Sequence, residues 1–217
     1  MNSNAQVIGL SKGTIIKSKP WKTRFSDFYG NRGMLGFIVL ATDLVMENNI
    51  IRLTPEGVGL SFSRIPCKTD VNNTFLRQQL AMLPSAAAMI QPYKPPDLVC
   101  YACTSGSILN GEQNCMDAIK VGAPHSKSMT LVTGVVDAMK TLGALNIVVG
   151  TPYLDEVNSV ELDFLIDSGF NVLDIQGLNV SDGAEMGRID PQFIKEFAIS
   201  IDRPDAECIF LSCGGIR

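Results

Sequence analysis

The sequence predicts an α/β protein, with parallel sheets arranged in two similar lobes. Three observations point there. Short β-rich runs alternate with longer helical patterns from residue 34 to the end. A shift of 110 residues lays the second half of the chain on the first, Cys213 falling on Cys103. An apolar run also ends twice in cysteine and small residues, in "CYACTSGS" (100–107) and in "CIFLSCGGIR" (208–217).

Taken in order, "MLGFIVLAT" (34–42) is a continuous apolar run and reads as a buried strand. "GVGLSFSRI" (57–65) is the second strand. "NTFLRQQLAMLPSAAAMIQ" (73–91) is helical, with Pro84 imposing a kink or a break. "DLVCYAC" (97–103) is a strand, and "ILNGEQNCMDAIKVG" (108–122) is a helix stopped by Gly122. "SMTLVT" (128–133), "GVVDAMKTLG" (134–143) and "ALNIVVGTP" (144–152) continue the alternation. "LDEVNSVELDFLIDSG" (154–169) is a helix with its own glycine stop. "FNVLDIQ" (170–176) is a strand, "PQFIKEFAIS" (191–200) a helix and "AECIFLSC" (206–213) the last strand.

The same shift places "LNIVVGTPY" (145–153) on "LGFIVLATD" (35–43). The organisation expected is a basic, loosely ordered arm over 1–33, a first lobe over 34–143 and a second over 144–217. Parallel sheets bind ligands beyond their C-terminal strand ends. Two facing lobes would set Cys103 and Cys213 on opposite walls of one cleft. The first half continues for about 40 residues past Cys103, whereas the second stops four residues past Cys213. The expectation is a second lobe truncated at its C-terminus, short of a helix and a strand.

The chain has 217 residues, 46% hydrophobic and 18% charged, which suits a globular protein with a real core. A net charge of −4 argues against a nucleic-acid partner. No apolar run reaches the ~18 residues of a membrane helix, and no secretory signal opens the chain. A cytoplasmic protein with reduced thiols is expected, and a homo-oligomer is compatible with the sequence. The arm carries Lys12, Lys17, Lys19, Lys22 and Arg24, which suit a transit segment or, preferably, a solvated arm. Cys100 and Cys103 form a C-x-x-C, but His125 is the single histidine and no second pair exists. Structural zinc is therefore not expected. The redox reading is weak, because that motif opens a helix and Cys100 lies in a strand.

Cys103 is followed by Thr104, Ser105, Gly106 and Ser107. A strand end entering a helix offers backbone N–H groups to a carboxylate, and the helix dipole lowers a thiol pKa. Against this stands the ordinary fate of cysteine as a small buried residue. Cys213, followed by Gly214 and Gly215, shifts the balance. Glycines there admit close approach of a substrate to backbone N–H groups, and two strand-end thiols suggest two bases facing one carbon. Tyr153 follows another strand tip, where its hydroxyl binds a substrate carboxylate or caps the sheet edge. Asp43 either caps the next helix or binds a substrate ammonium. Cys67, Cys100, Cys115 and Cys208 lack such a context. His125, in a polar loop, reads as a surface residue.

"FIVLATD", "YACTSGS", "TPYLDEVN", "GAEMGRID" and "LSCGGIR" resemble the Asp/Glu/hydantoin racemase superfamily. They resemble in particular the branch holding maleate cis-trans isomerase, arylmalonate decarboxylase and the ectoine-utilisation racemase-like proteins. The resemblance runs from about residue 34 to the end. It implies two Rossmann-like, flavodoxin-like lobes related by a pseudo-twofold, working without metal or organic cofactor. It implies that Cys103 and Cys213 are a thiol/thiolate pair, one removing an α-proton and the other reprotonating the opposite face. Thr104, Ser105, Tyr153, Gly214 and Gly215 would hold one carboxylate and stabilise an enediolate-like intermediate. In the family's isomerases the first cysteine adds to a double bond. Its decarboxylases keep only the second cysteine, so Cys103 argues against pure decarboxylation. Maleate isomerases carry asparagines where this chain has Asp43 and Gly183, which disfavours a dicarboxylate. The activity expected is racemisation or isomerisation beside the carboxylate of an amino acid or its derivative. The alternatives are a maleate-type isomerase with a covalent cysteine, an arylmalonate-type decarboxylase and, outside the enzymes, a two-lobed small-molecule binding protein.

Overall fold

The computed structural model describes residues 10–26, 29–67 and 73–217, and its strands form two parallel sheets. In the first, β1 (Gly33–Leu40) lies between β2 (Val58–Ile65) and β3 (Leu98–Tyr101), and β4 (Lys127–Thr130) pairs with β3. Phe37, Phe62, Cys100 and Met129 share one row across it. In the second, β5 (Asn146–Thr151) lies between β6 (Asn171–Gly177) and β7 (Cys208–Leu211). The order β6-β5-β7 repeats β2-β1-β3, and β3 shifted by 110 residues lands on β7.

Helices fill the crossovers. α1 (Met46–Leu53) joins β1 to β2. α2 (Asn73–Gln78), a 3-10 turn (Gln79–Met82) and α3 (Leu83–Ala88) precede β3. α4 (Thr104–Asn110) and α5 (Glu112–Gly122) follow it. α6 (Leu131–Leu142) leads into β5 and α7 (Asp155–Asp167) into β6. α8 (Gly183–Met186) and α9 (Pro191–Ile201) precede β7.

The structure differs from the sequence reading at several ends, each with a local cause. The segment 73–91 breaks at the 3-10 turn, and Pro84 sits in the first turn of α3, where its missing N–H costs nothing. The third strand stops at Tyr101, so the helix after it starts at Thr104. Gly111, at φ +80°, divides that helix from α5. The fourth strand stops at Thr130, whose hydroxyl accepts from Thr133 N at 3.2 Å and caps α6. Gly122 is the last residue of α5, and a Cβ there would collide with the Pro84 carbonyl of α3. α1 is an element that the pattern did not reveal.

One core packs α3, α4 and α5 on the first sheet through Ile38, Leu83, Val99, Leu109 and Ile119. A second packs α6 and α7 on the other sheet through Val136, Met139, Ile147, Leu165 and Phe210. α4 also contacts α7, and Val160 reaches the first core, so the lobes meet through these two helices. Residues 10–26 form neither helix nor strand and are exposed. Residues 1–9 of the expected arm lie outside the described residues. Among the described residues, no helix is long and apolar enough to cross a membrane.

Candidate active site

Cys103 leaves β3 in extended conformation and caps α4, whose Gly106 N donates to its Sγ at 3.4 Å. Ser105 Oγ lies 3.9 Å from the same sulfur, and Ser107 Oγ donates to the Cys103 carbonyl at 2.5 Å. The turn of small residues therefore folds as a helix start organised around the sulfur. Burial pushes the Cys103 thiol above its ordinary value, against the Gly106 N–H and the Tyr101 and Ser105 hydroxyls. The dipole-lowered thiol expected from the sequence is not found. α4 is seven residues long, and its few donors do not offset the loss of water.

Cys213 follows β7 with φ +115°, a backbone conformation costly for a residue with a side chain. Gly215 N donates to its Sγ at 3.3 Å. Burial pushes this thiol to about 12, opposed by the Tyr153 hydroxyl and the Gly215 N–H. The two thiols also act on one another electrostatically. Cys100 and Cys208 pack within their strands, and His125 is exposed on a loop.

Tyr153 is buried on a polar platform. Thr151 Oγ1 donates to Asn158 Oδ1 at 2.5 Å and accepts from Tyr153 N at 3.1 Å. Asn158 Nδ2 reaches the Tyr153 carbonyl at 3.5 Å. Burial raises the Tyr153 hydroxyl well above its ordinary pKa, so it stands as a hydrogen-bond donor. Asp43 does cap a helix, its Oδ1 accepting from Val45 N at 2.8 Å and Met46 N at 2.7 Å. Its Oδ2 points the other way, toward Gly215: a Cβ there would lie 3.8 Å from it.

Asp43, Cys103, Thr104, Ser105, Tyr153, Cys213, Gly214 and Gly215 line one cavity of about 50 Å³. Among the described residues lining it, Asp43 is the one formal charge. Sequence reasoning missed Cys67, which lines the same cavity just past the end of β2. The signal was available, since Cys67 also follows a strand end. It missed Leu40, Phe75 and Met186 as well, which supply apolar wall. Among the described residues, no three His, Cys, Asp or Glu side chains gather as metal ligands would.

The profile of the arylmalonate decarboxylase family matches residues 103–217, from the first cavity cysteine to the end. The chain belongs to the arylmalonate decarboxylase family. This agrees with the resemblance to the racemase superfamily branch carried by the strand-end motifs. A maleate isomerase of Geobacillus stearothermophilus is 25% identical over 123 residues, covering 54% of this chain and 49% of that protein. The chain thus spans about half the length of this curated relative. A solved maleate isomerase variant of Pseudomonas putida, with maleate, superposes with TM-score 0.76 at 20% identity, over 85% of this chain and 79% of that one. A Nocardia farcinica maleate cis-trans isomerase mutant with a covalently bound succinylcysteine intermediate superposes with TM-score 0.76 at 18% identity, over 85% and 80%. These structures share the family's two-lobed α/β fold.

Proposed function

We propose that this chain is an isomerase of small carboxylates, acting at the carbon next to the carboxylate of an amino acid or its derivative. Cys103 and Cys213 are its acid/base pair. The observation that carries this reading is the pair itself: two thiols at equivalent strand ends line one cavity among neutral donors. One thiolate removes the α-proton, and the other thiol delivers a proton to the opposite face. The substrate carboxylate lies against Thr104, Ser105, the Tyr153 hydroxyl and the Gly214–Gly215 backbone. These donors stabilise the negative charge that develops on its oxygens. Asp43 Oδ2 faces the substrate's amino side. The cavity holds only a few water-sized groups, which favours a small acid.

A second reading has a specific observation in its favour, the likeness to maleate isomerases. In it the Cys103 thiolate adds to a carbon–carbon double bond, and Cys213 protonates the resulting carbanion. Rotation about the new single bond and reversal of both steps release the trans acid. Asp43 opposes this reading, because it sets a negative charge beside the second carboxylate.

Incubation in D₂O with chiral α-amino acids, N-acetyl-diamino acids and maleate separates the two. Loss of the α-proton signal together with optical activity is the expected result. Fumarate appearing from maleate without such exchange overturns the first reading in favour of the second. Racemisation surviving Cys213→Ser would remove the two-base mechanism.

A further inference from the structure

Each thiol is attended by a tyrosine hydroxyl, and only one of the two tyrosines belongs to the cavity wall. Tyr153 reaches Cys213 and lines the cavity. Tyr101 reaches Cys103 from the end of β3 and is not among the lining residues. Its side chain is fully buried, and its hydroxyl donates to Gln79 Oε1. Gln79, in the 3-10 turn, is fully buried too, and its Nε2 has no hydrogen-bond partner among the described residues. The three groups converge above Gly106. A Cβ there would overlap the Tyr101 hydroxyl and Gln79 Oε1 and lie 3.0 Å from Cys103 Sγ. Gly106 is thus the residue that lets the cluster close, and its N–H already points at the sulfur.

A phenol has one proton to give. While Cys103 is a thiol, the Tyr101 proton goes to Gln79. Once Cys103 ionises, its sulfur is the stronger acceptor, because the bond becomes charge-assisted. The hydroxyl then turns to the sulfur and frees its own oxygen. Gln79 supplies the matching donor by turning its amide over, bringing the unpartnered Nε2 onto that oxygen. The Tyr101–Gln79 Oε1 bond is given up and two form in its place, Tyr101 to the sulfur and Gln79 Nε2 to Tyr101, inside a buried cluster.

The titratable groups acting on Cys103 and Tyr101 are Cys67 after β2, Cys115 on α5 and, across the cavity, Tyr153 and Cys213. Glu112 acts in turn on Cys115. Among the described residues none of these is a cation, and the donors that face the Cys103 sulfur are neutral. We propose that Tyr101, with Gln79 as its alternate partner, is a positioning residue that stabilises the Cys103 thiolate from behind and leaves the cavity side of the sulfur to the substrate. This rests on reading Cys103 as the reacting thiol.

The test is site-resolved alkylation of the full chain by iodoacetamide, read by peptide mass spectrometry from about pH 7 to about pH 11. Wild type is compared with Tyr101→Phe and with 3-fluorotyrosine at position 101, a near-isosteric and stronger donor. Tyr101→Phe is expected to raise the Cys103 midpoint by about one pH unit, slowing alkylation about tenfold at neutral pH, with the Cys213 profile unmoved. The fluorinated residue is expected to lower the same midpoint. An unchanged midpoint with 3-fluorotyrosine overturns the proposal, whether or not the Phe variant folds. A Phe variant that keeps the wild-type midpoint and loses only its plateau rate also overturns it, since that is loss of packing. No substrate enters this assay, so its failure is distinct from failure of the isomerase reading.

Discussion

Replacing Glu161 by glutamine isolates the cost of a buried acid at the lobe junction. Glu161 lies on α7, 1% exposed, and among the described residues neither carboxylate oxygen has a hydrogen-bond partner of normal geometry. The Ser212 hydroxyl, one residue before Cys213, is the polar group that acts on it. Burial raises its pKa from 4.5 to about 7. At about 1.4 kcal/mol per unit, ionising it in the fold costs about 3 kcal/mol more than in the unfolded chain. Below 4.5 both states hold the proton and no penalty exists. Between 4.5 and about 7 the unfolded chain binds fewer protons, so stability falls as pH rises. Above that window the penalty is complete. Glutamine resembles the protonated acid in shape and never ionises. Glu161→Gln should therefore match wild type near pH 4.5 and exceed it by about 3 kcal/mol at about pH 8. Urea unfolding followed by circular dichroism measures this. The single tryptophan, Trp21, is exposed in the arm and would not report it. Stability curves that run parallel from acid to alkaline pH would refute the reasoning, since the carboxylate would then be charge-stabilised where it sits.

Other outcomes follow from the same geometry. Cys213→Gly relieves the φ of +115° and should melt above Cys213→Ser, by about 1 kcal/mol in stability; equal melting would show that the turn is unstrained. Asp43→Asn keeps the oxygen that caps α1 and should change stability by less than about 0.5 kcal/mol, whereas Asp43→Ala should lose about 1 kcal/mol in the same urea assay. In competition between an amino acid and maleate, Asp43→Asn should move preference toward maleate, and an unchanged ratio would remove Asp43 from the substrate. Both thiols are held above their ordinary range, so kcat/KM should climb about tenfold per unit from about pH 6 to about pH 8. A flat profile would mean that thiolate formation does not limit the reaction.

Strand and helix alternation was legible because buried parallel strands are continuous apolar runs, as in "MLGFIVLAT" after Gly33, and because glycine and proline bound others, as in "GVGLSFSRI" before Pro66. The cavity was legible at residues whose neighbours announce a strand end: Cys103 before hydroxyls, Cys213 before glycines, Tyr153 after Thr151 and Pro152. α1 was hidden, since "MENNIIRL" mixes asparagines with β-branched residues; what fixes it is the Asp43 cap and the packing of Met46 against Gly214. The true start of α4 was hidden because Thr104–Ser107 are weak helix formers on their own. They become helical when the Cys103 sulfur caps them and the lobe contact buries them. Glu161 gave no sign in the sequence either. An acid on a helix ordinarily faces water, and only the tertiary packing of α7, which sets Glu161 beside Ser212 and Tyr153, takes it out.

Asp43, the lone formal charge among the described residues of the cavity wall, also bears on how a ligand arrives. A carboxylate approaching this mouth meets Asp43 and a chain of net charge −4, with no cation in the described lining to draw it in. Long-range attraction, which speeds capture in many anion-binding enzymes, is here replaced by mild repulsion. Dissolved salt shortens the reach of that repulsion to about 10 Å at 0.1 M. Encounter with a mono-anionic acid should therefore quicken as ionic strength rises, the opposite of the response of an arginine-lined site. On the proposed reading, a zwitterion that turns its ammonium toward Asp43 would approach with little of this barrier and gain an advantage before any chemistry begins.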